Sequence, residues 1–209
     1  MTAAARPLVL ASTSRYRAAL LARLGVPFEV AAPEVDERSF DPLWGELGPR
    51  GYALALARAK AAAVARRRPA SEPPAWVLGG DQVCVLEDAA GRARRLDKPL
   101  DAARNVEQLL ALAGRTHTLI GGIVLLDAQT GRAREHVDEQ RLSMRAFTRA
   151  EAEAYVARAA PYDCAGGYRI EDLGIALFTR IEGADPTGIE GLPLIAVAAL
   201  LREVGFAVP

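Results

Sequence analysis

Charged and hydroxyl side chains crowd together in five stretches of the chain, and these residues are the ones whose types and spacing could do chemistry. The stretch LVLASTSRYRAALLARLG, residues 8–25, places serines and arginines directly after a short apolar run. Acids and lysines then occur in PEVDER, LARAKA, GGDQV and LDKP. Cationic side chains bind phosphate groups, and carboxylates bind hard cations such as Mg²⁺. Together these stretches indicate a site for an anionic ligand.

The turn at residues 12–17 is suited to an anion, because it leads from an apolar run into an amphipathic helix. The free backbone N–H groups and the dipole of a helix N-terminus attract negative charge, and Ser12 adds a hydroxyl donor. Arg17 lies in the first helical turn, where a cation is unfavourable by up to about 1 kcal/mol unless an anion lies beside it. The alternative is that a serine caps the helix and the arginines are solvated.

Asp81 is the most informative acidic residue in these stretches. It follows Gly79 and Gly80 at the end of an apolar strand pattern. A carboxylate in such a place is costly to bury unless it is paired, hydrogen-bonded or bound to a metal. The glycines would allow a ligand or another backbone to approach closely. The alternative is an aspartate in an ordinary β-turn.

Three further residues complete the candidate set. Glu37 belongs to an acidic cluster in a long loop, which by itself is typical of a solvated loop. Combined with Asp81, it would supply the oxygen ligands that Mg²⁺ or Mn²⁺ prefers. Lys60 lies in an alanine-rich helical segment, and Lys98 precedes a helix that begins near a proline. Either could be a surface lysine, but together with Arg17 they could hold a triphosphate.

The composition limits the classes of protein to which the chain can belong. Of its 209 residues, 51% are hydrophobic, and the formal net charge is zero, which disfavours a strongly basic nucleic-acid surface. No apolar run approaches the roughly 20 residues that span a bilayer. The short N-terminal apolar run is expected to be a strand rather than a secretory leader. Two cysteines give no disulfide framework, so a cytoplasmic location is expected.

The hydrophobic pattern predicts a single α/β domain over residues 1–209 with a mixed, curved sheet. Strands are expected at residues 8–11, 28–31 and on both sides of the turn-forming DAQTGR, and helices at 15–24, 50–68, 101–113, 148–159 and 194–204. Thr148 and Glu151 form a capping-box pattern. AWVLGGDQVCVL is expected to be a strand, a turn and a second strand, with Asp81 and Gln82 in the interruption.

A thiol or serine hydrolase is a weaker interpretation. The chain has no G-x-S-x-G motif and no zinc-type spacing of Cys and His. Cys84 is expected to lie in the core, and Cys164 is expected to pack tightly in the wall of a cleft. His117 and His136 are expected to be structural.

The ordered set of motifs resembles the Maf-family nucleotide pyrophosphatases. The segments that carry the resemblance are LASTSRYRAALLARLG, APEVDE, LARAKA, GGDQVCVL, DKP, LAGRTHTLIGGIVL and YDCAGGYRIEDLGIALFTRIEGADPTGIEGLPL, which cover nearly the whole chain. The resemblance implies hydrolysis of a nucleoside triphosphate to the monophosphate and pyrophosphate with a divalent metal cation, Mg²⁺ or Mn²⁺. It also implies an inosine triphosphate pyrophosphatase-like fold, in which a mixed curved β-sheet has flanking helices and an active-site cleft lies between two lobes.

The same resemblance assigns roles to individual residues. Asp81 corresponds to the family's catalytic proton acceptor, and a role as metal ligand stays open beside it. The positions that handle phosphate and metal fall on Ser12, Arg17, Lys60 and Lys98 for phosphate, and on Glu37 and Asp81 for metal.

Three residues point to the branch of the family that acts on 7-methyl-GTP: Tyr16, Gln82 and Glu171. Methylation at N7 gives guanine a positive charge, which an aromatic ring such as that of Tyr16 attracts. A carboxylate such as Glu171 can accept hydrogen bonds from the N1–H and N2–H₂ edge of guanine. The alternatives are a dTTP/UTP pyrophosphatase of the same family, a packing role for Tyr16 and an exposed loop position for Glu171.

Members of the family have also been linked with division arrest and septum formation. A nucleotide-binding regulator with little turnover is therefore the rival interpretation. The expected partners are a nucleoside triphosphate substrate and a second copy of the chain in a homodimer, with neither nucleic acid nor membrane.

Overall fold

The computed structural model describes residues 6–69 and 71–208, which form seven strands, five α-helices and several short 3₁₀ turns. The strands are β1 (Leu8–Ala11), β2 (Phe28–Ala31), β3 (Trp76–Glu87), β4 (Ala93–Leu96), β5 (Thr116–Asp127), β6 (Ala133–Met144) and β7 (Phe178–Glu182). The helices are α1 (Arg15–Ala22), α2 (Leu43–Arg67), α3 (Ala102–Leu112), α4 (Arg149–Ala159) and α5 (Leu194–Glu203).

The strands form one mixed sheet in the order β2-β1-β3-β5-β6-β7, and β4 pairs with β3. Strand β1 lies parallel to both β2 and β3, whereas the pairs β3–β4 and β6–β7 are antiparallel. The predicted mixed α/β architecture is therefore confirmed. No helix in the described part of the chain has both the length and the apolarity needed to cross a membrane.

The chain divides into two compact units. The first comprises residues up to 81, residues 121–138 and residues from 191 onwards, and the second comprises Gln82–Ile120 and Glu139–Glu190. The extent of the single domain stays a prediction.

In the first unit, helix α2 packs so closely on two strands that only glycine fits at the contacts. A Cβ atom on Gly79 of β3 would overlap the carbonyl oxygen of Ala57, and one on Gly122 of β5 would lie 2.5 Å from the carbonyl oxygen of Ala53. Around this contact lies a cluster of small and branched apolar residues, which includes Val9, Ala57, Ala61, Val77 and Val124. The expectation that Gly79 allows close approach is confirmed, and the approaching group is a helix backbone.

The start of α2 differs from its prediction. The segment predicted as a loop up to residue 49 contains a 3₁₀ turn at Glu37–Phe40, and the helix already begins at Leu43. Gly48, at φ 65° and ψ 178°, interrupts the helix just before Pro49. Proline disfavours helical backbone in the residue before it, which explains why the regular part of the helix begins only after this kink, as the sequence indicates.

The second unit has its own core between the later half of β3 and helices α3 and α4. The predicted capping box at α4 is present, since Glu151 N–H donates to Thr148 Oγ1 at 3.3 Å and Thr148 N–H donates to Glu151 Oε2 at 2.8 Å. Cys84 is fully buried, so its expected core position is confirmed. Cys164 is only half-buried, so its expected tight packing is not borne out in full.

One strand prediction is wrong. Residues 76–87 form a single continuous strand, β3, and Asp81 and Gln82 do not interrupt it. The polar pair indicated a turn because an unpaired carboxylate is costly inside a strand. In the structure Asp81 is paired with Lys60, which removes the reason for the strand to break.

Candidate active site

Asp81, Lys60 and Glu37 form a compact charged cluster in the first unit. The Lys60 ammonium nitrogen, Nζ, lies 2.6 Å from Asp81 Oδ1 and 2.7 Å from Glu37 Oε1. The side chains of Lys60 and Asp81 are 8% and 9% exposed, whereas that of Glu37 is 53% exposed. A buried lysine–carboxylate pair beside a second, solvent-accessible carboxylate is an arrangement suited to handling a charged ligand.

The close approach of α2 explains how this cluster forms. Gly79 and Asp81 are two residues apart in β3 and therefore point to the same face of the sheet. Ala57 and Lys60 are three residues apart in α2, so they lie on the same side of the helix. Contact of the Ala57 backbone with Gly79 therefore brings Lys60 next to Asp81.

Arg17 is the second cation of this site. Its Nε donates a 3.0 Å hydrogen bond to the carbonyl oxygen of Gly191, and Nε would lie 3.7 Å from a Cβ atom on Gly80. Burial lowers the pKa of the Arg17 guanidinium, while the carboxylates of Asp81 and Glu37 act in the opposite direction. Because arginine stays protonated in proteins, Arg17 supplies a fixed positive charge close to both acids.

The four charged groups of this site are formally neutral together, with two acids and two bases. A triphosphate bound there would need additional positive charge. The carboxylates of Glu37 and Asp81 fit a divalent cation, because both already converge on the ammonium group of Lys60. Mg²⁺ is commonly held by one or two carboxylates together with substrate phosphates. No cluster of three or more Asp, Glu, His or Cys side chains with the arrangement of a metal site occurs in the described residues. The metal-binding roles predicted for Glu37 and Asp81 stay predictions.

The serine turn combines a helix cap with a free hydroxyl. Ser14 is the N-cap of α1, and its side chain accepts a 3.4 Å hydrogen bond from Arg17 N–H. The buried Ser12 accepts a 3.1 Å bond from Ser14 N–H, which still leaves its own hydroxyl proton to donate. The capping interpretation therefore holds for Ser14, and the phosphate role predicted for Ser12 stays a prediction.

Tyr16 already contacts a cation. The guanidinium carbon of Arg15 lies 4.9 Å from the centroid of the Tyr16 ring, and Arg15 Nη2 donates a 2.9 Å hydrogen bond to the Tyr16 hydroxyl. The ring is half-buried, and its face is occupied as a cation–π partner. This contact was not foreseen from the sequence, because consecutive helical residues do not normally face each other.

Gln82 belongs to the second unit, where its amide is committed to the backbone. Its Nε2 donates at 2.7 Å to the carbonyl oxygen of Gly188 and at 3.4 Å to that of Ile189. Asp185 holds the same segment by accepting from Thr187 N–H at 2.9 Å and from the Thr187 hydroxyl at 2.6 Å. Gln82 can therefore influence a pocket by fixing the position of residues 186–189.

Lys98 and Glu171 are exposed residues of the second unit. Lys98 lines a groove of about 870 Å³ bounded by β4, α3 and α4, and no other predicted site residue does. Glu171 directly precedes Asp172, which caps the 3₁₀ turn Leu173–Leu177. The roles predicted for Lys98 and Glu171 therefore stay predictions.

The arrangement of a glycine-bordered acid, a buried lysine and a serine turn agrees with the family suggested by the motifs. The family model described as Maf-like protein matches residues 7–204. The chain belongs to the Maf family. Family membership covers all the candidate residues, from Ser12 to Glu171.

Curated relatives match over nearly their whole length. A protein of Cupriavidus metallidurans named 7-methyl-GTP pyrophosphatase is 43% identical over 207 residues, which cover 99% of this chain and 98% of the relative. One of Xanthomonas oryzae pv. oryzae with the same name is 45% identical over 202 residues, with 97% and 98% covered. One of Nitrosococcus oceani, also so named, is 42% identical over 201 residues, with 96% and 94% covered.

The structure brings together four of the residues that the sequence proposed, namely Arg17, Glu37, Lys60 and Asp81. The sequence missed the Gly191 carbonyl that fixes Arg17, because a backbone acceptor far along the chain has no signature of its own. It also missed Arg15, whose only signal was its position beside Tyr16.

Proposed function

We propose that this protein is a nucleoside triphosphate pyrophosphatase and that 7-methyl-GTP is its substrate. Water attacks the α-phosphorus, the bond from that phosphorus to the oxygen shared with the β-phosphorus breaks, and the products are 7-methyl-GMP and pyrophosphate. The observation that carries the proposal is the buried Asp81–Lys60 pair with Glu37 beside it. The names of the full-length relatives support the choice of substrate.

In this proposal each charged residue has a task that follows from its geometry. Lys60 holds Asp81 Oδ1, and the other carboxylate oxygen, Oδ2, has no hydrogen-bond donor among the described residues. Oδ2 is thus the atom that takes the proton from the attacking water. Arg17 and Lys98 neutralise charge on the triphosphate, and the Ser12 hydroxyl donates to a phosphate oxygen. Stabilisation of developing charge by fixed donors is usually the largest part of catalysis.

A divalent cation is part of the same proposal. Glu37 and Asp81 would hold it, and Glu37 is the more accessible of the two because half of its side chain is exposed. When bound, the ion supplies positive charge that polarises phosphate oxygens. The formal neutrality of the four charged residues supports this requirement. The alternative is that Asp81 acts only as a metal ligand. In that case, replacing Asp81 would weaken metal binding to the same extent as it lowers turnover.

Recognition of the nucleotide base is assigned to Tyr16 and Glu171. Gln82 contributes indirectly, by fixing the position of residues 186–189. Tyr16 offers an aromatic face that attracts a cation, as its contact with Arg15 illustrates. Glu171 offers a carboxylate that is exposed to solvent and can therefore pair with the hydrogen-bond donors of guanine. These two residues favour 7-methyl-GTP over dTTP and UTP, whose bases carry no positive charge.

The test is pyrophosphate release by the full chain from 7-methyl-GTP, GTP, dTTP, UTP and CTP, with Mg²⁺ or Mn²⁺ and with EDTA. We expect the highest kcat/KM for 7-methyl-GTP, and no release with EDTA. Glu171→Gln should lower kcat/KM for 7-methyl-GTP and reduce its advantage over UTP, whereas Glu153→Gln, at an exposed acid in α4, should not.

Other outcomes would replace this proposal with a rival. Preference for dTTP or UTP would indicate the pyrimidine branch of the family. Tight binding without pyrophosphate release would indicate a nucleotide-binding regulator. The cytoplasmic location is supported by two free cysteines, and the homodimer stays a prediction that light scattering can check.

A further inference from the structure

We infer that Arg15 is a specificity-determining residue that lowers the preference of this protein for bases carrying a positive charge. The inference rests on the proposed function, since it takes Tyr16 as the surface on which the base lies. It goes beyond that function because it gives a role to a residue outside the assigned site.

Arg15 holds the Tyr16 ring by two contacts at once. The guanidinium carbon is 4.9 Å from the ring centroid, and Nη2 is 2.9 Å from the phenol oxygen. The guanidinium thus lies along the ring face and reaches its polar edge. These two simultaneous contacts hold the exposed Arg15 side chain against the Tyr16 ring.

A cationic base and Arg15 compete for the same property of the ring, namely the negative electrostatic potential of its face. If the base lies on the face that Arg15 covers, the guanidinium must leave and lose both contacts. If the base lies on the opposite face, it meets a ring whose electrons are already drawn towards a cation, and it is repelled by a like charge. In either case a methylated, positively charged guanine is penalised more than a neutral guanine.

The position of Arg15 strengthens this argument. It is the first residue of α1, and the positive end of the helix dipole makes this an unfavourable place for a cation. Arg17 adds a second positive charge within the same turn. A cationic base on Tyr16 would therefore add a further positive charge beside the N-terminus of α1, where the helix dipole already disfavours one.

The experiment compares Arg15→Ala and Arg15→Gln with the wild type for two nucleotides. Both kcat/KM, with metal, and Kd in EDTA, without turnover, are measured for 7-methyl-GTP and GTP. We expect the ratio of the two nucleotides to shift towards 7-methyl-GTP by about two- to fivefold, the range for a cation–π contact at an exposed site. The shift should disappear in the background of Tyr16→Ala, because the ring that Arg15 covers is then absent.

The matched control is Arg23→Ala, which removes the same charge from an exposed residue at the other end of α1. It should leave the nucleotide ratio unchanged. Equal changes for both nucleotides in Arg15→Ala would mean that Arg15 acts on the phosphates or the fold, and an unchanged or reversed ratio would mean that it does not oppose the cation. Each of these results overturns the inference while the proposed function stands. If the wild type releases pyrophosphate from neither nucleotide, both fall together.

Discussion

Lys60 contacts two carboxylates that differ sharply in exposure, and this difference separates their roles. The pair with Asp81 is almost buried, whereas half of the Glu37 side chain is in contact with solvent. Only the glutamate side of the Lys60–Glu37 pair is open to water, so solvent screens its charge more than that of Asp81. Removing one partner of a buried ion pair strongly destabilises the folded protein, because the other charge is left buried without compensation. Asp81 is therefore the enclosed carboxylate of the cluster, and Glu37 is the one that solvent or a ligand can reach.

The first prediction concerns Asp81→Asn. The amide cannot take a proton, yet it preserves the size of the side chain, and Lys60 keeps Glu37 as a partner. We expect kcat for the best nucleotide to fall at least about 100-fold, the lower end of general acid–base effects. The measurement is steady-state pyrophosphate release at saturating nucleotide and metal, with circular dichroism to verify the fold.

Asp127→Asn is the control for this prediction. Asp127 is also a buried aspartate of the first unit that is ion-paired to an arginine, Arg6, but it lies outside the charged cluster. Its replacement should lower stability while kcat stays close to that of the wild type. Turnover of Asp81→Asn within a few-fold of the wild type would refute the assignment of Asp81.

At the scale of secondary structure, the sequence predicted an element correctly where the residues that determine it are close together in the chain. The capping box of α4 was visible because Thr148 and Glu151 are three residues apart in the sequence. Strand β3 was divided wrongly because the partner that makes Asp81 tolerable, Lys60, is 21 residues away. Sequence distance hid the contact that keeps the strand continuous.

The same limit applies to the candidate site. The charged residues could be selected as candidates from the sequence, because an acid directly after two glycines and a lysine among alanines are unusual patterns. Their convergence on Lys60 was not, because it depends on how α2 packs on β3. The commitment of the Gln82 amide to backbone carbonyls was also hidden, as these carbonyls lie more than 100 residues further along the chain.

The second prediction belongs to the packing of α2 on β3. In Gly79→Ala, the new Cβ would overlap the Ala57 carbonyl oxygen and lie 3.0 Å from the Cβ of Ala61. Neither neighbour is the end of a flexible side chain, so the helix must shift. We expect the free energy of unfolding to fall by about 2–3 kcal/mol, as for other overpacked interiors. Because the shift moves Lys60 away from Asp81, kcat should fall as well. Urea denaturation and turnover measure the two effects.

Gly45→Ala provides the comparison for Gly79→Ala. Gly45 lies in the first segment of α2, it is exposed, and a Cβ there would have no neighbour within 4 Å. Alanine is favoured over glycine inside helices by about 0.5–1 kcal/mol, so this variant should be as stable as the wild type or slightly more stable. Equal stability of the two variants would show that α2 does not press on β3 at Gly79.

At the scale of the whole molecule, one buried histidine links stability to pH. His117 is 2% exposed, its Nε2 lies 2.7 Å from the Tyr168 hydroxyl, and its ring also contacts Phe178. Its Nδ1 is buried without a hydrogen-bond partner in the described part of the chain. Burial lowers the pKa of His117 to about 4, from an ordinary value of 6.5. The folded protein therefore keeps this imidazole neutral at a pH where the unfolded chain protonates it.

The third prediction follows from this difference in pKa. Between pH 6.5 and pH 4 the unfolded state binds a proton that the folded state excludes, so stability falls as pH falls through this window. The loss of stability is about 3 kcal/mol over the shift in pKa.

His117→Gln, which can still bond to the Tyr168 hydroxyl, should remove this part of the pH dependence. His136→Gln should retain the His117 contribution. Urea denaturation at pH 7, 6, 5 and 4 measures it, and equally steep curves for the wild type and His117→Gln would contradict the role of His117. The hydrogen bond from Arg6 holds the pKa of Asp127 well below its usual range, so Asp127 also begins to lose its stabilising contribution as pH falls towards the ordinary carboxyl pKa. This loss is common to the wild type and His117→Gln and cancels when the two curves are compared.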